Sequence, residues 1–477
     1  MRRDEVFIDG KFLHANSGEL IDITSPSTEK IIGAAPRGDS VDVDRAVQAA
    51  RRAFDSGGWS GAPAKVRADS VRRLADELEK RSEELAQLVT AELGSPISMN
   101  RVAHVASPVS RLRAHADRGE DFDFVEVRPF AAGTGTVVHE AVGVVGAIVP
   151  FNAPVHIAVE KLGPALMAGC TVIVKTPPTN PLHSYLFAEA VQAADIPAGV
   201  LNIVPGDAQT GADLVSHPGV DKVSFTGSVA GGRAILAACA GRITRVTLEL
   251  GGKSAAVVLD DALAGDVVPR LAPRSMLMSG QACILLSRVL VPRRRRDEFV
   301  EGLIDAIRAM KLGDPFDEST ALGPLITSRQ RDRVEGFIAR GKQAGAQVVF
   351  GGGRPASPER GWYVEPTILT GVDNRSELGQ SEIFGPVISV IDYDTDEEAL
   401  AMANDTIYGL GGAVFSADES RARALAQRLR AGTVGVNGFA TDAAFPFGGF
   451  KQSGLGREGG REGLRDFLEP KSLLVFS

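Results

Sequence analysis

The chain reads as an α/β protein built from parallel βαβ units, and three observations carry that reading. Short apolar runs alternate with amphipathic helical stretches along most of the sequence. Between residues 171 and 240 the alternation becomes a regular strand-then-helix rhythm. At 477 residues the chain is also too long for one hydrophobic core, which asks for two or three domains.

Taken in order, apolar positions at helical spacing mark residues 43–54 and 64–92 as surface-packed helices. From 122 to 140 the period shifts towards two, as in a β-ribbon, and 142–149 (V-G-V-V-G-A-I-V) is a buried strand stopped by Pro150. Strands at 171–175, 200–204 and 222–225 are each followed by a helix, through 188–194, 211–216 and 231–240. In such units ligands bind at the carboxyl ends of the strands. After Gly252 the alternation resumes: S-A-A-V-V-L-D is a strand, 297–310 and 330–344 are helices, and 347–350 and 387–393 are strands. The final S-L-L-V-F is a strand with no helix after it, and the 122–140 ribbon is its natural partner.

Composition narrows the function classes. A formal net charge of −8 gives no overall electrostatic footprint for nucleic acid. The run from Arg293 to Arg296 is answered at once by Asp297 and Glu298 and reads as a solvated turn before a helix. Three cysteines without C-x-x-C spacing argue against a disulfide framework or structural zinc, so no metal is expected. No secretory h-region is evident, and no segment approaches the roughly 18 apolar residues of a membrane span, so a cytoplasmic protein is expected. G-L-G-R-E-G at 454–459 fits the pattern G-x-G-x-x-G, but too little chain follows for a βαβ unit; a glycine-rich turn is the better reading.

Three residues carry chemistry. Cys170 opens a strand and Cys239 lies on an alanine-rich helix face, as small buried hydrophobes do, but no apolar period runs through Cys283 in S-G-Q-A-C-I-L-L-S-R. A thiol there is a candidate nucleophile on a carbonyl carbon. Glu249, in L-E-L-G-G-K, is a candidate base, its flanking leucines and glycines suggesting a tight buried turn. Asn152, in P-F-N-A-P, offers non-titrating N–H donors to a developing oxyanion, although on its residues alone a cap on the following helix is the better reading.

These strings together, and their order along the whole chain, resemble the aldehyde dehydrogenase superfamily; G-Q-x-C-x-x-x-x-R is matched from Gly280 to Arg288. The resemblance implies two Rossmann-like parallel-sheet domains plus a small oligomerisation ribbon. Residues 1–122 and 142–250 would form the cofactor-binding domain, 251–467 the catalytic domain, and 123–141 with 468–477 the ribbon. It implies Cys283 as nucleophile, Asn152 with the Cys283 backbone N–H as oxyanion hole, and Glu249 as the base that hydrolyses a thioester, with Lys161 in support. It places NAD along Pro150, Phe151, Lys175, Pro178, Gly211, Phe225, Thr226, Gly227, Ser228, Gly232 and Leu250, with Glu382 on the nicotinamide ribose and Phe384 beside the ring. One departure bears on the cofactor. Where the family commonly carries a glutamate after the strand lysine this chain has Pro178, which removes a block to the NADP 2′-phosphate without supplying a cation. NAD is the expectation and NADP stays open.

The resemblance also gives a tunnel walled by Leu277, Ile284 and Phe447 with Met276 and Met278, and His156 and Glu160 at its mouth or turned away. With no arginine standing out to hold a substrate carboxylate, a medium-sized aliphatic, terpenoid or aromatic aldehyde is expected. Glu249 favours hydrolysis over transfer to coenzyme A. None of the seven histidines lies in a protease-like string, which disfavours a cysteine hydrolase, and the set of Asn152, Glu249, Cys283 and Glu382 disfavours a silent binding protein. An exposed sheet edge invites pairing with another copy, so a dimer or tetramer is expected.

Overall fold

The structure is a computed structural model that describes residues 1–476. Its first sheet has eight strands in the order Gly454–Leu455, Arg245–Glu249, Lys222–Thr226, Val144–Ile148, Thr171–Thr176, Leu201–Pro205, Glu5–Ile8 and Lys11–His14. The middle five are parallel, and the pairings at both edges are antiparallel. Val144–Ile148 comes first of the five in the chain and third in space, so the order reverses between it and Lys222–Thr226. A crevice opens at the carboxyl ends of two strands whose connections leave in opposite directions. The segments Pro150–Asn152 and Gly227–Ser228 emerge there.

The second sheet has seven strands in the order Gln347–Phe350, Thr367–Thr370, Val387–Tyr393, Arg288–Pro292, Ala255–Val258, Gly411–Phe415 and Thr433–Val436, parallel except for the first. Glu249 ends a strand of the first sheet and Ala255 begins one of the second, while Cys283 lies just before Arg288. The carboxyl ends of one sheet therefore face the amino ends of the other. That junction, not either sheet alone, holds the residues with chemistry.

The last sheet is a three-stranded ribbon of Val125–Phe130, Gly133–Ala141 and Leu468–Phe476, with the terminal strand paired along its whole length from Leu468 opposite Ala141 to Phe476 opposite Gly133. The ribbon and the isolated last strand do pair as the period-two pattern suggested. No described helix is long and apolar enough to cross a membrane.

Two readings of the sequence need correction. Residues 64–92 are not one helix but two, Ala64–Lys80 and Ser82–Leu93, broken at Arg81 (φ −100°, ψ 14°). No glycine or proline marks the break; the Arg81 guanidinium bonds back to the Glu77 carbonyl at 2.9 Å and to its carboxylate, fixing the kink through a side chain. The stretch 454–459 is more than a turn, because Gly454–Leu455 adds an antiparallel edge to the first sheet beside Leu248 and Glu249. The arginine run does form a 3₁₀ turn, Arg293–Arg295, before the helix Arg296–Arg308, and is answered by Asp392, Asp394, Asp260, Glu298 and Asp297.

Candidate active site

Asn152 lies between the strand Val144–Ile148 and the helix Pro154–Ala168, and it does not cap that helix. Its Nδ2 instead donates to the carbonyl of Gln281 at 2.9 Å. This bond joins the loop at the end of the first sheet to the loop carrying Cys283. One N–H of the amide is fixed there, and an amide has two.

The Cys283 loop is held in an unusual conformation. Met278 and Ser279 both have positive φ, 52° and 53°, and Gly280 follows at 79°. Each such non-glycine residue costs about 1–3 kcal/mol and persists only where neighbours over-determine it. Here they do. Ser279 Oγ donates to the Gly323 carbonyl at 2.9 Å and accepts that residue's N–H at 3.0 Å, and Gln281 Oε1 accepts from the Ile326 N–H at 3.0 Å. Gly280 is obligatory, since a Cβ would fall 1.9 Å from the Gly385 carbonyl carbon. This strained hairpin delivers Cys283 half-buried to the sheet junction. Burial, then the charges of Glu382 and Glu249, push its thiol well above the usual range.

Glu249 is the last residue of its strand, held by Gly454 opposite it and by the Gly227 N–H on its carbonyl at 3.0 Å. Its carboxylate is buried, and neither oxygen finds a hydrogen-bond partner among the described residues. Burial first, and the charge of Glu458 second, raise its pKa far above the carboxylate norm, while Lys161 pulls the other way. Lys161, fully buried on the helix Pro154–Ala168, bonds Ser224 Oγ at 3.1 Å and pairs with Glu458 at 2.6 Å. Glu458 stands within the stretch set aside as a glycine turn. Its backbone exchanges two hydrogen bonds with Phe447, at 2.6 and 2.8 Å, which ties the turn to the P-F-G-G-F loop.

The residues aligned with a cofactor line the crevice. Lys175, near the end of Thr171–Thr176, is pushed by burial down to about 8, with Asp207 opposing. A Cβ added at Gly211 would meet the Lys175 side chain at van der Waals distance, 3.9 Å. Ser228 caps the helix Val229–Ala240 by accepting the Gly231 N–H at 3.1 Å, Gly227 and Gly231 pack on the Phe225 ring, and Gly232 leaves room for Leu250. Thr226 Oγ1 is buried and unpartnered among the described residues. Pro150 and Pro178 are half-buried at the strand ends. On the opposite wall burial raises Glu382 to about 7, and its Oε1 accepts the Gly252 N–H at 3.1 Å. Phe384 (φ 60°) stacks edge-on to Phe151 at 5.8 Å.

Of the residues aligned with a substrate tunnel, Leu277, Ile284 and Phe447 are half-buried, and Met276 and Met278 are buried. His156 is half-buried, 3.4 Å from Ser107 Oγ, and burial lowers it to about 4. Glu160 is turned into the protein. It pairs with Arg111 at 2.7 Å and lies 3.6 Å from His115, both on the helix Ser107–Glu120. Burial would raise its pKa, but His115 and Arg111 more than offset that and hold it low. Arg111 escaped the sequence reading because nothing in its own neighbourhood points at residue 160.

The arrangement fixes how two substitutions act on a rate that needs Glu249 ionised. Such a rate rises with pH through the Glu249 pKa, above the ordinary carboxylate range of about 4. Glu458→Gln removes a repelling charge and should move this acid limb of kcat to lower pH. Lys161→Met removes an attracting one and should move it higher. The pH profiles of the two variants check this, and shifts in the same direction would contradict the geometry.

Comparison with known proteins places the whole chain in one family. The sequence profile of the aldehyde dehydrogenase family matches residues 12–473. Geranial dehydrogenase of Castellaniella defragrans is 45% identical over 471 residues, covering 98% of either chain. The 3-succinoylsemialdehyde-pyridine dehydrogenase of a Pseudomonas species is 40% identical over 476 residues, covering 99% of this chain and 98% of the relative. Among solved structures, Mycobacterium tuberculosis aldehyde dehydrogenase complexed with NAD+ superposes with a TM-score of 0.97 at 40% identity, over 100% of this chain and 98% of that one. A mutant of Pseudomonas syringae aldehyde dehydrogenase C, complexed with NAD+ and octanal, gives 0.96 at 38% identity, over 98% and 96%. With the fold, the family profile and the relatives all in agreement, the chain belongs to the aldehyde dehydrogenase family.

Proposed function

We propose that the chain oxidises an aldehyde to its carboxylic acid through a thioester on Cys283, with NAD as cofactor. One observation carries this reading: Cys283, the Asn152 amide and the raised carboxyl of Glu249 converge on one sheet junction. The Cys283 thiol gives its proton up to solvent as the sulfur adds to the aldehyde carbon. The alkoxide of the thiohemiacetal is met by the free Asn152 N–H and by the Cys283 backbone N–H. NAD, when bound, supplies the hydride acceptor that leaves a thioester on the sulfur. Glu249 then removes a proton from water, which adds to the thioester carbonyl, and the acid departs as the thiol is restored.

The crevice suits a dinucleotide. The Ser228-capped helix N-terminus would hold a pyrophosphate, Lys175 the adenosine ribose, and Glu382 opposite would accept from the nicotinamide ribose. NAD-bound relatives support the same choice. Asp207, close enough to act on Lys175, is paired with Arg37 at 2.9 Å, so neither offers a free charge to favour or reject a 2′-phosphate.

For the substrate we propose a medium-sized aliphatic, terpenoid or aromatic aldehyde. Two of the named relatives support this, a geranial dehydrogenase and an aldehyde dehydrogenase complexed with octanal. Arg111 is already paired with Glu160 and offers no free charge to hold a substrate carboxylate. We further propose that the ribbon pairs with a second copy, since Val125, Val127, Leu474, Val475 and Phe476 expose apolar surface on its two edge strands.

Three measurements test these readings. Glu249→Gln should release about one NADH per site in a burst and then stall, and the product should be free acid whether or not coenzyme A is added to the wild type; a thioester product would overturn hydrolysis. Geranial or octanal should exceed succinic semialdehyde in kcat/KM by at least about tenfold, and the reverse order would overturn the substrate class. Sedimentation velocity should show a dimer or larger species at micromolar protein, and a monomer would remove the ribbon's proposed role.

A further inference from the structure

The helices Ser107–Glu120 and Pro154–Ala168 run side by side in the same direction, and their contacts recur at intervals of about one turn. Ser107 meets His156 and Arg111 meets Glu160. Further along, a Cβ on Gly163 would fall against His115 and one on Gly119 against Met167.

The hydrogen bonds of the first two contacts leave two atoms over. Arg111, a donor only, gives its Nε to Ser107 Oγ at 3.4 Å and its Nη1 to Glu160 Oε1 at 2.7 Å. The Ser107 hydroxyl keeps its own proton for His156 Nδ1, 3.4 Å away. An imidazole that accepts at Nδ1 carries its proton on Nε2, and burial, against the pull of Glu160, holds the ring neutral. His156 Nε2 has no hydrogen-bond partner among the described residues, and neither has Glu160 Oε2. Yet neither atom is among the unpartnered groups that the protein seals from water, so both open on unfilled space.

That space lies on the approach to Cys283. His156 stands in the first turn of the helix that follows Asn152, whose amide bonds the Gln281 carbonyl two residues before the thiol. Glu160 lies on the same face one turn on, about 6 Å along the axis. A Cβ on Gly459 would be 3.7 Å from Glu160 Oε2 and 2.7 Å from the Phe445 carbonyl, so this oxygen faces the loop that leads to Phe447. Arg118, from the helix Ser107–Glu120, fastens the same loop through the Ala443 carbonyl at 2.6 Å. A donor and an acceptor one turn apart suit a single group that both accepts and donates, which is a hydroxyl. An alkyl chain there would leave both unpaired, and a carboxylate would meet the charge of Glu160.

On the reading that Cys283 oxidises an aldehyde, we propose that His156 and Glu160 set its specificity within the medium-sized class. The favoured aldehyde carries a neutral hydroxyl beyond its reacting carbon, which accepts from His156 Nε2–H and donates to Glu160 Oε2.

Steady-state oxidation of para-(hydroxymethyl)benzaldehyde and of its isostere para-ethylbenzaldehyde by the full chain tests this. The wild type should favour the hydroxylated aldehyde in kcat/KM by at least about tenfold, chiefly through KM. His156→Leu should erase the preference, and His156→Gln, which keeps a donor, should retain part of it. If His156→Leu fails to fold, a crystal of Cys283→Ala with para-(hydroxymethyl)benzaldehyde decides, with the hydroxyl expected at hydrogen-bond distance from His156 Nε2. Equal kcat/KM for the pair in the wild type, an unchanged ratio in the folded His156→Leu protein, as a merely structural histidine would give, or a hydroxyl pointing elsewhere would overturn the assignment. Turnover of both aldehydes that survived Cys283→Ala would instead overturn the reaction on which it rests.

Discussion

One buried ammonium can neutralise one buried carboxylate, and here two carboxylates compete for it. Lys161 pairs with Glu458, so Glu249 is left in a dry site with no donor on either oxygen. A carboxyl so placed holds its proton to higher pH than an exposed one, and when it does ionise it is an avid base. The pairing draws on distant parts of the chain: the lysine comes from the helix after Asn152, the glutamate from a turn near the C-terminus, and the unpaired partner from the end of a central strand. Removing either the lysine or the C-terminal glutamate would change the proton affinity of Glu249.

The fold explains why such a group can persist beside a reactive thiol. The site lies where the carboxyl ends of one parallel sheet meet the amino ends of another, so it is walled by loops with rigid strands behind them. Backbone strain collects on those loops, at Met278, Ser279 and Phe384, and each strained segment is fixed by hydrogen bonds from a different element. The Asn152–Gln281 bond ties the two halves together within reach of the thiol.

Much of this was legible in the sequence, and the limits have physical reasons. The alternation of strands and helices was readable because parallel strands are apolar and evenly spaced. Cys283 and Glu249 could be named because they sit in strings whose composition is odd for packing alone, whereas Asn152 read as a helix cap until its string was matched to the family. Glu458 was missed because its surroundings, G-L-G-R-E-G, look like a solvated turn. A signal for it existed: Lys161 lies in an otherwise apolar helix, and a lysine there needs a buried partner somewhere. The partnership of Glu160 with Arg111 gave no such hint, since residues on two separate helices meet only after folding. The break at Arg81 was hidden for a related reason: a side chain makes it, without glycine or proline.

The competition for Lys161 can be observed without turnover. Infrared difference spectra recorded as pH is raised follow the stretch of a protonated carboxyl, and comparison with Glu249→Gln assigns the band to Glu249. The account predicts a band that survives well above the ordinary carboxylate range in the wild type and is missing from the variant. Loss of the Glu249 band within the range of an exposed glutamate would contradict it.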